Sequence, residues 1–231
     1  GNVAITGYYQ VSADFDPLRA GPASQIVGNG NVACFVAAYD SLFRFKWVKP
    51  LTSSASGLQQ GRGVAVDDAG SVYTTGHFTN DINLNPNNNP PQIVNTPKFN
   101  VPNTFISKMD AAGNYVWSKT YPGDFNMGFS IAVSDRRHVY VAGHFFDTVD
   151  FNAEGAAEMR IAANKRADAY LLKLACSEQD LDTVAVAVCA ASYEFNGETY
   201  TASGMYEQFF FGDDWCDSVV MLDLTLNEIP D

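Results

Sequence analysis

The chain repeats itself, and that repeat constrains its fold more than any other feature. Val72-Tyr73-Thr74-Thr75-Gly76-His77-Phe78 matches Val139-Tyr140-Val141-Ala142-Gly143-His144-Phe145 at five of seven positions, 67 residues downstream. Val3-Ala4-Ile5-Thr6-Gly7-Tyr8-Tyr9 is the same segment, 69 residues upstream. Other landmarks recur in the same order. Asp14-Phe15-Asp16 answers Asn83-Leu84-Asn85 and Asp150-Phe151-Asn152, and Trp47-Val48-Lys49 answers Trp117-Ser118-Lys119. Self-similarity at a fixed period of this length is the signature of a repeat architecture, in which each unit buries its apolar faces on its neighbours.

Each unit holds four short runs rich in β-branched and aromatic residues, separated by turn chemistry such as Asp67-Asp68-Ala69-Gly70 and Asp110-Ala111-Ala112-Gly113. Gly accepts the positive φ that such hairpins need. No helical period of any length interrupts the pattern. Four antiparallel strands at fixed period form a propeller blade, and the expected fold is all-β. With strands a to d in each blade, the chain supplies b-c-d, then a-b-c-d, then a-b-c. That is about two and a half four-stranded blades, whereas a closed ring needs at least about four. The missing blades are expected upstream or from other chains, since the arc leaves strand edges unpartnered. The opening Gly1-Asn2-Val3 reads as the middle of a strand pattern, so a mature or trimmed piece is expected.

Charge marks a second domain. Residues 1–173 carry 14 Lys/Arg and 14 Asp/Glu, whereas residues 174–231 carry 12 acidic residues and no basic one. The expected domains are the blades at 1–175 and a small acidic, Ig-like β-module at 181–231. Its strands include Tyr193-Glu194-Phe195 and Glu198-Thr199-Tyr200 around Asn196-Gly197, the strongest short signal for a type I′ hairpin. About 50 residues in a five-stranded sandwich bury little core. A Cys189–Cys216 disulfide is therefore expected to staple the module, which requires an oxidising compartment. Cys34 and Cys176 stay unassigned between buried thiols and a second pair. An acidic module without Lys or Arg repels phosphate, so nucleic acid is not an expected partner. No apolar run is long enough for a membrane-spanning helix, and membrane insertion is not expected.

The order "VAVD…G-x-VY-x-x-G-x-F…DFDP…F-x-x-K-x-D…W-x-K" resembles the seven-bladed propeller repeat of secreted bacterial proteins, the SBBP repeat, over about residues 1–174. Residues 189–226 resemble short C-terminal modules of secreted and surface proteins of the Bacteroidota, which act there as spacers ahead of a type IX secretion sorting domain. The resemblance implies an extracellular or outer-surface location. It also implies O-glycosylation at Asp-Ser/Thr-apolar triplets, here at Ser41, Thr148, Thr183 and Ser218. Ser41 and Thr148 are expected in turns or loops.

No catalytic motif is present. His77 and His144 occupy equivalent repeat positions, which repetition explains better than metal binding. No cofactor is expected, although Asp147, Asp150 and Asn152 carry oxygen atoms that suit a calcium ion. Such residues also end strands through side-chain hydrogen bonds to the backbone. The leading functional expectation is a non-catalytic scaffold for binding, adhesion or structural assembly, with a protein or glycan ligand or copies of itself as partners. The alternatives are a subunit of an extracellular filament completed by neighbouring strands, and a carbohydrate-active hydrolase or lyase on a propeller. The segments between strands b and c, in blade two a long Asn- and Pro-rich stretch from Pro86 to Asn103, are expected as recognition loops or as disordered segments.

Overall fold

A computed structural model describes residues 2–16, 18, 21–53, 56–87, 90–134, 138–152, 158–163, 166–175, 182–211 and 217–227. The chain divides into two compact units, Gly1–Leu174 and Ala175–Asp231.

In the first unit the β-rich runs form three antiparallel sheets, one per repeat. The first holds β1 (Val3–Tyr9), β4 (Ala33–Tyr39) and β5 (Phe45–Leu51), with a side hairpin of β2 (Ser12–Asp14) and β3 (Gln25–Val27). The second is a complete meander of β6 (Gln59–Val66), β7 (Val72–Phe78), β10 (Asn103–Met109) and β11 (Tyr115–Tyr121), with the hairpin β8 (Asp81–Asn83) and β9 (Ile93–Asn95). The third holds β12 (Gly123–Ser134), β13 (His138–Asp150) and β15 (Asp168–Ala175), and β14 (Met159–Ile161) folds back on the end of β13. The strands thus follow b-c-d, a-b-c-d and a-b-c. The stretch between b and c, expected as a loop, is a two-stranded hairpin in every repeat.

Burial explains the repeated residues. Gly7 lies opposite Phe35 and Gly76 opposite Phe105, so a strand-c ring lies across each strand-b glycine. Thr6 and Thr75 then donate to the carbonyls of Phe35 and Phe105, at 2.8 and 2.9 Å. Cys34, Val36, Trp47 and Leu51 of the first sheet share one core with Val72, Phe78, Phe105 and Met109 of the second. The inner strands carry the seam: β6 packs against β1, and β12 against β6 and β7. Each inner strand bulges at the same place, around Arg62 and Phe129. Trp47 also ties the first two blades, its indole N–H donating to the Ala111 carbonyl at 3.1 Å.

In the second unit β16 (Asp182–Cys189) runs parallel to β20 (Asp217–Asn227), and β19 (Gly204–Phe211) pairs with β20 antiparallel. The hairpin of β17 (Tyr193–Phe195) and β18 (Glu198–Tyr200) turns at Asn196 and Gly197, with φ of 51° and 78°. Tyr200, Leu222 and Leu224 form its buried centre, joined by Val184, Val186 and Phe195.

The expected disulfide is not formed, and strand register gives the reason. Cys189 has a free, exposed thiol, and β16 places it beside Asn227. Asp217, the covalent neighbour of Cys216, heads the same strand ten residues earlier. At roughly 3.3 Å per residue the two ends stand about 33 Å apart, far beyond the roughly 4.4–6.8 Å between Cα atoms that a disulfide spans. Cys176 and Cys216 themselves lie outside the described residues. Cys34 is free and fully buried, and burial pushes its thiol pKa up to about 12.

Candidate interaction surface

The three b–c hairpins emerge at the same end of successive blades, and the repeat opens the second and third in the same way. Asn80 and Asp147 take left-handed backbone, with φ of 67° and 52°, which Asn and Asp tolerate better than other side chains. Their carbonyls accept the amides of Thr96 and Ala162, both at 2.7 Å, where the hairpin returns. One Asx side chain then fixes each tip. Asp14 Oδ1 accepts from the Asp16 amide at 3.0 Å and the Ser24 hydroxyl at 2.8 Å. Asn83 Oδ1 accepts the amides of Asn85 and Gln92, at 3.1 and 3.0 Å. Asp150 Oδ1 accepts the amides of Asn152 and Glu158, both at 2.9 Å. The Asp16 amide, followed by the Ser24 hydroxyl, holds the Asp14 carboxyl below the usual range.

These geometries place the sequence candidates. Asp147 is the left-handed residue that opens a hairpin, and Asp150 caps its strand through backbone amides. Among the described residues no three His, Cys, Asp or Glu side chains converge as a cation site. Ser41 sits exposed in a turn held by Asp40, which accepts the amides of Leu42 and Arg44 at 2.8 and 2.9 Å. Thr148 is not in a loop: it lies within β13 opposite Ile161, because the hairpin extends the strand. Thr183 faces outward on β16, and Ser218 lies in β20 opposite Phe210.

His77 is buried, and its Nδ1 lacks a hydrogen-bond partner. Burial, then the charges of Arg62 and His144, push its pKa down to about 4. His144 packs among Phe125, Phe129 and Phe146, with ring centroids 5.8, 5.1 and 5.5 Å away, and burial lowers its pKa too. Both imidazoles are neutral packing groups at neutral pH.

Each hairpin segment exposes large apolar side chains among its polar ones. Val11, Leu18 and Val27 on the first, Ile93 and Phe99 on the second, and Met159 and Ile161 on the third are all exposed. Single exposed apolar residues are ordinary, but their recurrence at one end of three blades makes this end the candidate interaction surface. The repeat does not spell out these residues, because Val11, Ile93 and Ile161 hold no shared motif. Only alternation along such short strands could have signalled them.

A second exposed surface is the outward face of the third blade. Lys173 lies 5.9 Å from the Tyr140 ring centroid, repeating Lys108 over Tyr73 at 5.3 Å. Lys108 is 1% exposed and Ile106 0%, because the third blade covers them. Leu171, in the place of Ile106, is 74% exposed.

No helix among the described residues is long and apolar enough to cross a membrane. No protein-family profile matches the chain. The chain is 22% identical over 194 residues to an uncharacterized WD repeat-containing protein of Acanthamoeba polyphaga mimivirus. The match covers 74% of this chain and 14% of that protein, so the chain spans a small part of its relative. The three stacked sheets and this likeness together fit a β-propeller-like repeat fold.

Proposed function

We propose that this chain is a non-catalytic binding scaffold that takes protein partners on its hairpin rim, in an extracellular or cell-surface setting. The observation that carries the reading is the recurrence of exposed apolar side chains on three successive hairpins. A WD repeat-containing relative supports it, since propellers of that kind present their rims to proteins. The surface setting rests on the resemblance of residues 1–174 to secreted bacterial repeats and of residues 189–226 to Bacteroidota spacer modules. A free Cys189 removes the disulfide from that argument. Ser41, in an exposed turn, and Thr183, exposed on β16, are the triplets we take as open to O-glycosylation.

The test is site-specific photo-cross-linking on cells of the source organism. A photoreactive residue at Ile93, Phe99 or Ile161 should trap the same partner. The same group at Leu42, exposed at the opposite end of strand c, should trap none. Equal capture from all four sites would refute the rim.

The outward face of the third blade favours a second reading, in which the arc is one part of a larger assembly. Leu171 and Lys173 repeat residues that are buried wherever a following blade is present. Leu171→Glu should then weaken association with whatever completes the ring, read by sedimentation of the natural assembly. An unchanged sedimentation coefficient would argue against it.

A further inference from the structure

A groove of about 370 Å³ lies where the first and second blades meet at the hairpin end, lined by the polar Gln10, Asn31, Ser56 and Asn100 and by the apolar Val32 and Leu58. The next seam shows why it is open. In both seams an inner-strand amide donates across to the neighbouring blade: Gln59 to the Val32 carbonyl and Asn126 to the Pro102 carbonyl, each at 3.0 Å. Counting from these anchors, Gly57 stands where the second seam has Asp124, and Gly28 where it has Lys98. Lys98 and Asp124 form an ion pair that bridges their seam. The first seam has two glycines instead, and neither site can carry a side chain. A Cβ on Gly57 would lie 2.5 Å from the Thr79 carbonyl oxygen and 2.8 Å from Gln59 Nε2, and one on Gly28 well inside 3.0 Å of the Gln10 carbonyl oxygen. The opening is fixed in the backbone.

One wall is also fixed. Asn80 and Asn100 are both left-handed, with φ of 67° and 60°. The Asn100 amide donates to Asn80 Oδ1 at 2.7 Å, and Asn80 Nδ2 donates to Asn100 Oδ1 at 3.1 Å and to the Ser56 carbonyl. Left-handed residues locked to each other in this way pre-organise a surface, as strained positions at binding sites commonly do.

The lining decides the ligand class. It holds no ionisable side chain, so a charged ligand would lose hydration without a counter-charge. Polar Gln10, Ser56 and Asn100 stand beside apolar Val32 and Leu58, so a wholly apolar ligand would leave the polar part of the lining unmatched. A ligand dense in hydroxyls matches these donors and acceptors. The volume sits at the small end of the roughly 300–1,000 Å³ of ligand sites, room for about one or two sugar rings. We infer that this groove binds a short stretch of a neutral oligosaccharide.

The test uses the full chain, 15N-labelled, titrated with maltotriose, cellotriose, xylotriose and the acidic trigalacturonate. At least one neutral trisaccharide should shift the amides of Gln10, Ser56, Gly57 and Asn100, and trigalacturonate should not. Gln10→Ala with Ser56→Ala should weaken that binding about tenfold, the loss expected for a hydrogen bond or two, with an unchanged melting temperature. Thr183→Ala, in the other unit, should leave it alone. The inference is overturned if no neutral trisaccharide moves these amides at concentrations on the order of 10 mM. Equal binding of trigalacturonate, or full affinity in the double variant, would overturn it too.

Discussion

Adding one methyl group to either of two equivalent glycines should give very different results, because only one of them is covered by an inner strand. Gly76 of β7 is paired with β6 on one side and β10 on the other. A Cβ there would press on the Gln60 carbonyl oxygen well inside 3.0 Å and meet the Phe105 ring at 3.0 Å. Backbone cannot yield as a side chain does, so β6 must separate locally from β7. Two ladder hydrogen bonds at about 1 kcal/mol each, with overpacking of about 1–3 kcal/mol, are set against about 0.5–1 kcal/mol gained from a less flexible unfolded chain. The net loss for Gly76→Ala is about 3 kcal/mol. Gly7 of β1 meets only the Phe35 ring, at 3.0 Å, and the ring can tilt. Gly7→Ala should therefore cost no more than about 1 kcal/mol. Urea denaturation followed by the fluorescence of Trp47 and Trp117, in a Trp215→Phe background, measures both. With a slope of about 2 kcal/mol/M the midpoint should fall by about 1.5 M for Gly76→Ala and by less than about 0.5 M for Gly7→Ala. Similar midpoints for the two variants would refute the assignment of β6 as a covering inner strand.

Acid should weaken the first unit through His77. Its folded pKa of about 4 lies below the unfolded value of 6.5, so the unfolded chain binds the proton first. The stability is fully present above pH 6.5 and is lost as pH falls toward 4. The loss should approach about 3 kcal/mol, and His77→Gln should flatten that part of the pH profile. Trp47→Phe should cost about 1 kcal/mol by removing the indole bond to Ala111. Trp117→Phe should cost less, since its buried indole N–H has no partner to lose. In the native protein iodoacetamide should modify Cys189 and spare Cys34, as peptide mapping would read; protection of Cys189 would reopen the question of its pairing.

The blade strands were legible because the repeat states each of them two or three times. Val72–Phe78 and its copies are strands b, and Trp47 and Trp117 mark strands d. The Asn196-Gly197 turn was legible because two residues dictate its backbone. Longer-range geometry was not. The parallel pairing of β16 with β20 joins segments more than 30 residues apart and leaves no spacing signature. The Cys189–Cys216 pairing was therefore inferred from module size, whereas Cys189 is free in the structure. Lys108 reads as a surface residue until the third blade is seen to cover it. The groove was hidden for a similar reason: Gly28 and Gly57 acquire meaning only beside Lys98 and Asp124, their counterparts in the next seam.

The central claim is that one repeated motif occupies three different positions in a stack of blades. Amide hydrogen exchange resolved to single strands tests it most directly. The segments Val3–Tyr9, Val72–Phe78 and Val139–Phe145 are equivalent strands of the repeat, and dividing each observed rate by the intrinsic rate of its own sequence leaves the effect of structure. Stacking then separates them. Strand β7, paired on both sides and covered on both faces, should exchange slowest, together with β10. Strand β13, paired on both sides with an open outward face, should be intermediate. Strand β1, which among the described residues pairs with β4 alone, should exchange fastest. Equal protection of β1 and β7 in the isolated chain would contradict the stacked arc.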